Sequence, residues 1–156
     1  MSNENHMRRA IALSVEMMRS GKGGPFGAVI VHREQIIAEG CNQVTSALDP
    51  TAHAEIVAIR HACQALGRFD LAGCEIYTSC EPCPMCLSAI YWARLDRIYY
   101  ANDRRDAAAI GFRDDFLYHE ILLPLEQRAI PIQGLLRAEG SLAFDEWRRK
   151  PDKVLY

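Results

Sequence analysis

Apolar positions recur at helical spacing over residues 6–19, where Ile11, Val15 and Met18 fall on one face. The pattern stops at Ser20-Gly21-Lys22-Gly23-Gly24-Pro25, a run too rich in breakers to continue a helix. FGAVIVHREQIIAEG then holds two short β-rich runs about a turn at 33–35, which predicts a hairpin. AHAEIVAIRHACQALG restores the helical period and closes at Gly67. Beyond it CEIYTSC predicts a strand near 74–78, PMCLSAIYWAR a helix, DRIYYAN a strand and RAIPIQGLL a later strand. Short helices are expected at 103–109 and 114–120, and LAFDEWRR predicts a C-terminal helix. A hairpin followed by alternating helix and strand points to an α/β sandwich, a mixed sheet with helices on both faces.

Composition narrows the class. The 156 residues suit one domain, and 49% hydrophobic with 24% charged residues is ordinary for a globular chain. A net charge of −2 gives no global attraction to polynucleotides or anionic membranes. Arg148-Arg149-Lys150 is a small basic cluster, read as a solvated helix end. No apolar run reaches the length of a membrane span, and Glu16 interrupts what would be a signal-peptide core, so a cytoplasmic location is expected. The six cysteines are then read as reduced thiols, three isolated (41, 63, 74) and three in CEPCPMC at 80–86.

That cluster carries candidate chemistry together with His53-Ala54-Glu55, thirty residues earlier. Pro84 suits the first helical position, which makes Cys83 an N-cap and puts Cys86 about one turn on. Both sulfurs would face the positive end of a helix, which favours the thiolate that metal binding needs. One histidine and two cysteines make a tetrahedral zinc site with a fourth position open to water. Glu55 falls on the apolar side of its helix with Ile59, Ala62 and Leu66, where burial raises a carboxyl pKa toward acid/base use. Periodicity works against one part of this, since His53 and Glu55 point roughly 200° apart in an ideal helix. The site therefore needs His53 in an irregular first turn, with Thr51 or Asp49 as a cap.

The same residues could serve other chemistries. C-x-x-C also suits a thioredoxin-type redox pair, but that reading leaves His53 and Glu55 without a role. A ferredoxin run needs a cysteine at position 90, which is Ile90. A closed structural zinc could recruit Cys80 and make the chain a zinc-stabilised binding module, again with nothing for Glu55 to do. His6, His32, His61 and His119 lack partners at ligand spacing and read as surface or core residues.

H-x-E with P-C-x-x-C is a signature of zinc nucleobase deaminases. Through DPTAHAEIVAIR and YTSCEPCPMC the sequence resembles the cytidine/deoxycytidylate deaminase superfamily. The resemblance implies a three-layer α/β/α sandwich with a mixed five-stranded sheet, one zinc on His53, Cys83 and Cys86, and Glu55 as proton shuttle. The two motifs occur also in bacterial tRNA adenosine deaminases. GGPFGAVIV, TSCEPCPMCLSAIYWAR, GFRDDF and the terminal tyrosine resemble instead the bacterial guanine deaminases of the superfamily, over nearly the whole chain. That likeness implies hydrolysis of guanine to xanthine and ammonia, with the Ala54 backbone and Tyr156 lining the base pocket. Phe26, Trp92 and Phe112 are available to stack on a purine, Asn42 suits its mixed donor–acceptor edge, and Asp114 suits a second catalytic proton relay or an acceptor for N1–H. Guanosine, a cytosine-like base and tRNA adenosine stay as alternative substrates. Asn42 is also ordinary turn chemistry, Phe26 and Trp92 are also core residues, and Asp114 or the adjacent Asp115 could simply cap a helix. The resemblance further implies a homodimer in which the tail, about 140–156, comes from a neighbouring subunit.

Overall fold

The computed structural model describes residues 3–156. Helix α1 (Asn3–Ser20) leads into strands β1 (Gly27–His32) and β2 (Gln35–Cys41), then a single turn α2 (Val44–Ala47) and helix α3 (Ala54–Leu66). Strand β3 (Cys74–Cys80), helix α4 (Pro84–Trp92), strand β4 (Arg97–Asn102) and short helices α5 (Arg104–Ala109) and α6 (Asp114–Glu120) follow. Helix α7 (Arg137–Arg149) comes last. The strands lie in the order β2-β1-β3-β4, with β1 antiparallel to both neighbours and β3 parallel to β4.

Strand β1 explains the layering. Alternate side chains of a strand point to opposite faces, and in β1 both sets are buried. Ala28 and Ile30 pack with Ala54, Ala58 and Ala62 of α3 and Ile90 of α4. Val29 and Val31 pack with Ala10 and Leu13 of α1 and with Tyr77. A sheet covered on both faces is the three-layer arrangement expected for alternating helix and strand. His6 of α1 is core as well, meeting Tyr77 edge-on at 5.1 Å. Arg9 locks α1 to the hairpin through two 2.7 Å bonds to the Glu39 carboxylate. None of the described helices is long and apolar enough to cross a membrane.

Gly40 sets how closely α3 approaches the sheet. A Cβ there would overlap the Ala54 carbonyl and stand 2.5 Å from the Ala58 nitrogen. The first turn of α3 thus rests directly on the backbone of β2, which fixes where His53 and Glu55 begin.

The sheet has four strands among the described residues, and the expected fifth, RAIPIQGLL at 128–136, is not formed. This segment lies in a second compact unit, His119–Tyr156, distinct from the one ending at Tyr118. Its residues are almost all exposed, and Pro131 has no N–H to offer a ladder. β-Propensity alone does not make a strand where no neighbour pairs with the segment. Within this unit, the Ala129 N–H donates to the Glu120 carboxylate and Arg128 to the Leu123 carbonyl.

Candidate functional site

The irregular first turn is real, though not as a capped helix end. Asp49 accepts from the Thr51 amide at 2.8 Å and hydroxyl at 2.7 Å, and Ala52 donates to the Asp49 carbonyl at 3.0 Å. This turn delivers His53 as the N-cap of α3 itself, in extended backbone (φ −68, ψ 157). Its side chain makes no capping bond, so the imidazole is outside the helical period and free to turn elsewhere. Glu55, the second residue of the helix, is buried. The conflict of 200° disappears because only one of the two residues obeys the helix.

On the facing side Cys83 is the N-cap of α4, Pro84 its first residue and Cys86 the third. His53 Nδ1 lies 3.7 Å from Cys83 Sγ and 3.5 Å from Cys86 Sγ. Zinc bonded to nitrogen at about 2.1 Å and sulfur at about 2.3 Å makes tetrahedral N···S edges of about 3.6 Å. The donor set therefore fits zinc in both chemistry and spacing, and is the only such His/Cys/carboxylate group among the described residues.

Electrostatics agrees with that use. Cys86 donates its S–H to Cys83 and His53 adds a second bond, which hold the Cys83 thiol down to about 4 against its burial. Cys86 is correspondingly pushed up, first by that bond and then by burial. His53 is raised by its bond to the Cys83 thiolate. Burial pushes Glu55 up to about 7. Cys80 stands apart: burial, then the Asp114 and Glu55 carboxylates, push it up to about 12, and its thiol donates to the Asp103 carbonyl at 3.7 Å.

A cavity of about 350 Å³ opens over these groups. His53, Glu55 and Cys83 line it, with Phe26, Asn42, Phe112 and Asp114. Phe26 and Phe112 meet edge to face at 4.8 Å. The Asn42 Oδ1 accepts from the Gly24 amide at 3.3 Å and the Val44 amide at 3.2 Å, while the Asn42 backbone N–H donates to the Phe26 carbonyl at 3.1 Å. Gly23 makes this strapping possible, because a Cβ there would overlap the Asn42 carbonyl. Between the two aspartates the structure chooses: Asp114 lines the cavity, and Asp115 pairs outward with Arg113 at 3.5 Å. Burial raises the Asp114 pKa, with the Cys83 thiolate second.

The family profile described as the cytidine and deoxycytidylate deaminase zinc-binding region matches residues 1–102. The chain belongs to this family. As a member of the deaminase family it is 51% identical to the guanine deaminase of Bacillus subtilis over the full length of both chains. The solved structure of that enzyme superposes with a TM-score of 0.97, covering 100% of this chain and 99% of the other. The guanine deaminase from Nitrosomonas europaea matches at 30% identity and TM-score 0.69, over 96% of this chain and 86% of its own. A tRNA-specific adenosine deaminase of Bacillus subtilis is 32% identical over 95% of this chain and 92% of its own.

Not every expected residue of the deaminase pocket is in this cavity. Ala54 is fully buried, its carbonyl against Gly40, and is not in the lining. Trp92 ends α4 at 68% exposure and is also absent from the lining. Tyr156 belongs to the second compact unit. Conversely Val44, Thr45, Pro50 and Glu81 line the cavity without having been singled out. Glu81, inside the cysteine cluster itself, was the one with a visible signal.

Proposed function

We propose that this chain is a guanine deaminase, hydrolysing guanine at C2 to xanthine and ammonia, with zinc on His53, Cys83 and Cys86 and Glu55 as proton shuttle. The observation that carries the reading is a cavity of single-base size with the metal triad and a buried carboxylate in its wall, in a chain whose likeness to guanine deaminases runs its whole length. When bound, zinc supplies a Lewis acid that lowers the pKa of a water to about 7.

The chain's own residues do the rest. Water adds to C2 and the C2–N bond breaks, so the attacking oxygen gives up both its protons as it becomes the C2 carbonyl, one ending on N3 and the other on the departing amine. Burial raises the Glu55 carboxyl above the ordinary carboxylate range, toward neutral pH, where one group can both take and return a proton. Phe26 and Phe112 offer the flat ring an apolar wall. Two backbone amides hold the Asn42 oxygen, so the amide orientation is fixed by its partners and the NH₂ is left as donor for guanine O6 and N7. Asp114 accepts from N1–H or relays a second proton. Ammonia release by the zinc-loaded protein from guanine, guanosine, adenine, cytosine and a tRNA anticodon stem-loop tests the substrate. Guanine alone is expected to react; turnover of another member with none from guanine overturns the assignment.

The protein is further proposed to act as a homodimer with exchanged C-terminal segments, Tyr156 and its neighbours completing the partner's pocket. Within His119–Tyr156 no residue is buried, and Leu122, Ile130, Leu135 and Phe144 are each more than three-quarters exposed. Apolar surface of that extent belongs in an interface. Sedimentation equilibrium should give twice the chain mass, and deleting the last four residues should lower guanine turnover. A monomer, or an unaffected truncation, removes the exchange.

A further inference from the structure

We propose that Tyr118, Arg104 and Glu81 form a clamp that sets the distance between the two walls of the pocket, making Tyr118 and Arg104 positioning residues for Asp114. The inference rests on the guanine-deaminase reading of that pocket. One wall is the Glu81-Pro82-Cys83 turn that delivers a zinc ligand. The other is α6, which begins at Asp114. Asp114 and Tyr118 are four residues apart on this helix and so share a face.

The Tyr118 hydroxyl donates to the Pro82 carbonyl at 2.7 Å, tying that face to the residue just before Cys83. The Arg104 guanidinium lies over the Tyr118 ring, 3.7 Å from its centre. The same guanidinium bonds both Glu81 oxygens, Nε at 3.2 Å to each and Nη2 at 2.5 Å to Oε1. The Arg104 backbone N–H adds a fourth bond to Glu81 at 3.0 Å. Glu81 in turn donates its backbone N–H to Asn102 at the end of β4.

Arg104 is itself held, since it opens α5 behind a complete capping box of Asp103 and Asp106. Its planar fork suits the two jobs of stacking on a ring and gripping a carboxylate, which lysine cannot combine. The pair also neutralises Glu81, a carboxylate lining the cavity beside Asp114. None of the three is a metal ligand, and Tyr118 and Arg104 are not in the cavity lining. Their effect on guanine therefore runs through where Asp114 stands.

The test is steady-state kinetics on zinc-loaded Tyr118→Phe and Arg104→Lys, alone and combined with Asp114→Asn. Tyr118→Phe keeps the ring under Arg104 and removes only the bond to Pro82. Each single variant is expected to retain zinc and raise KM for guanine about tenfold, with kcat changed less than about threefold, the scale of one hydrogen bond. In the Asp114→Asn background the same changes should add less than about twofold, because coupled residues are not additive. A merely structural role predicts equal effects in both backgrounds, and that result overturns the clamp. Unchanged kinetics, or loss of zinc, in Tyr118→Phe overturns it as well. Should Tyr118→Phe not fold, Arg104→Lys decides by the same criteria. If the wild-type protein ignores guanine, the substrate reading fails and the clamp is measured on the base that does react.

Discussion

Glu55→Gln is expected to leave zinc bound and lower guanine turnover by about a thousandfold, within the range general acid–base catalysis supplies. Glutamine preserves shape and one oxygen but can neither take nor return a proton. The carboxyl is buried at the first turn of α3 and faces the same cavity as His53 and Cys83 without being one of the three ligands. Metal content measured beside kcat separates the two roles. Full turnover in the variant would sink the shuttle, and loss of zinc would mean that Glu55 holds the metal instead. A binding module would show neither change.

The same substitution has a signature in stability. Burial raises Glu55 from 4.5 to about 7 in the folded protein. Between those values the folded chain binds more protons than the unfolded one, so this group's contribution to stability falls as pH rises through that window. Above pH 7 the cost amounts to about 3 kcal/mol in the metal-free protein. Positive charge from bound zinc offsets part of it. Metal-free Glu55→Gln should therefore resist urea better than the parent at pH 8 and no better at pH 4. Equal curves at pH 8 would contradict the burial argument.

Cys83→Ser and Cys80→Ser are expected to part company, although the two cysteines are three residues apart in one cluster. Cys83→Ser removes a thiolate that already sits at bonding range of His53, and bound zinc should drop below about a tenth of the wild-type level, with turnover falling alongside. Cys80→Ser should keep its zinc, because Cys80 is a thiol at neutral pH bonded to the Asp103 carbonyl and lies outside the ligand group. Zinc analysis after dialysis reads both directly. A metal-poor Cys80→Ser would redraw the site as a closed four-ligand centre.

How these residues were recognisable differs from one to the next. Cys83 and Cys86 were legible because proline at the first helical position and a cysteine one turn on are local facts, and α4 formed as that spacing requires. His53 was legible only as a motif, since periodicity set it opposite Glu55; the Asp49–Thr51 turn that frees it is a backbone conformation with little sequence signal. Asn42 could be read as turn or site; its side-chain oxygen holds two backbone amides and the residue also lines the cavity, a placement that no local pattern indicates. RAIPIQGLL has strand-like composition, yet a strand exists only where a neighbour pairs with it, and no strand pairs with this segment.

The sequence by itself determined the order of the four strands and of the longer helices among them, the buried side of α3 with Glu55 on it, and the family with its candidate zinc ligands. These depend on spacings of a few residues, where the chain's own geometry leaves few options. Only the tertiary structure decided that Asp114 rather than Asp115 faces the cavity, that the Cys80 thiol is bonded to the Asp103 carbonyl, and that Tyr118 and Arg104 tie α6 to the cysteine turn. Those choices depend on contacts between residues twenty to forty positions apart, which are made by packing and carry no periodic trace along the chain.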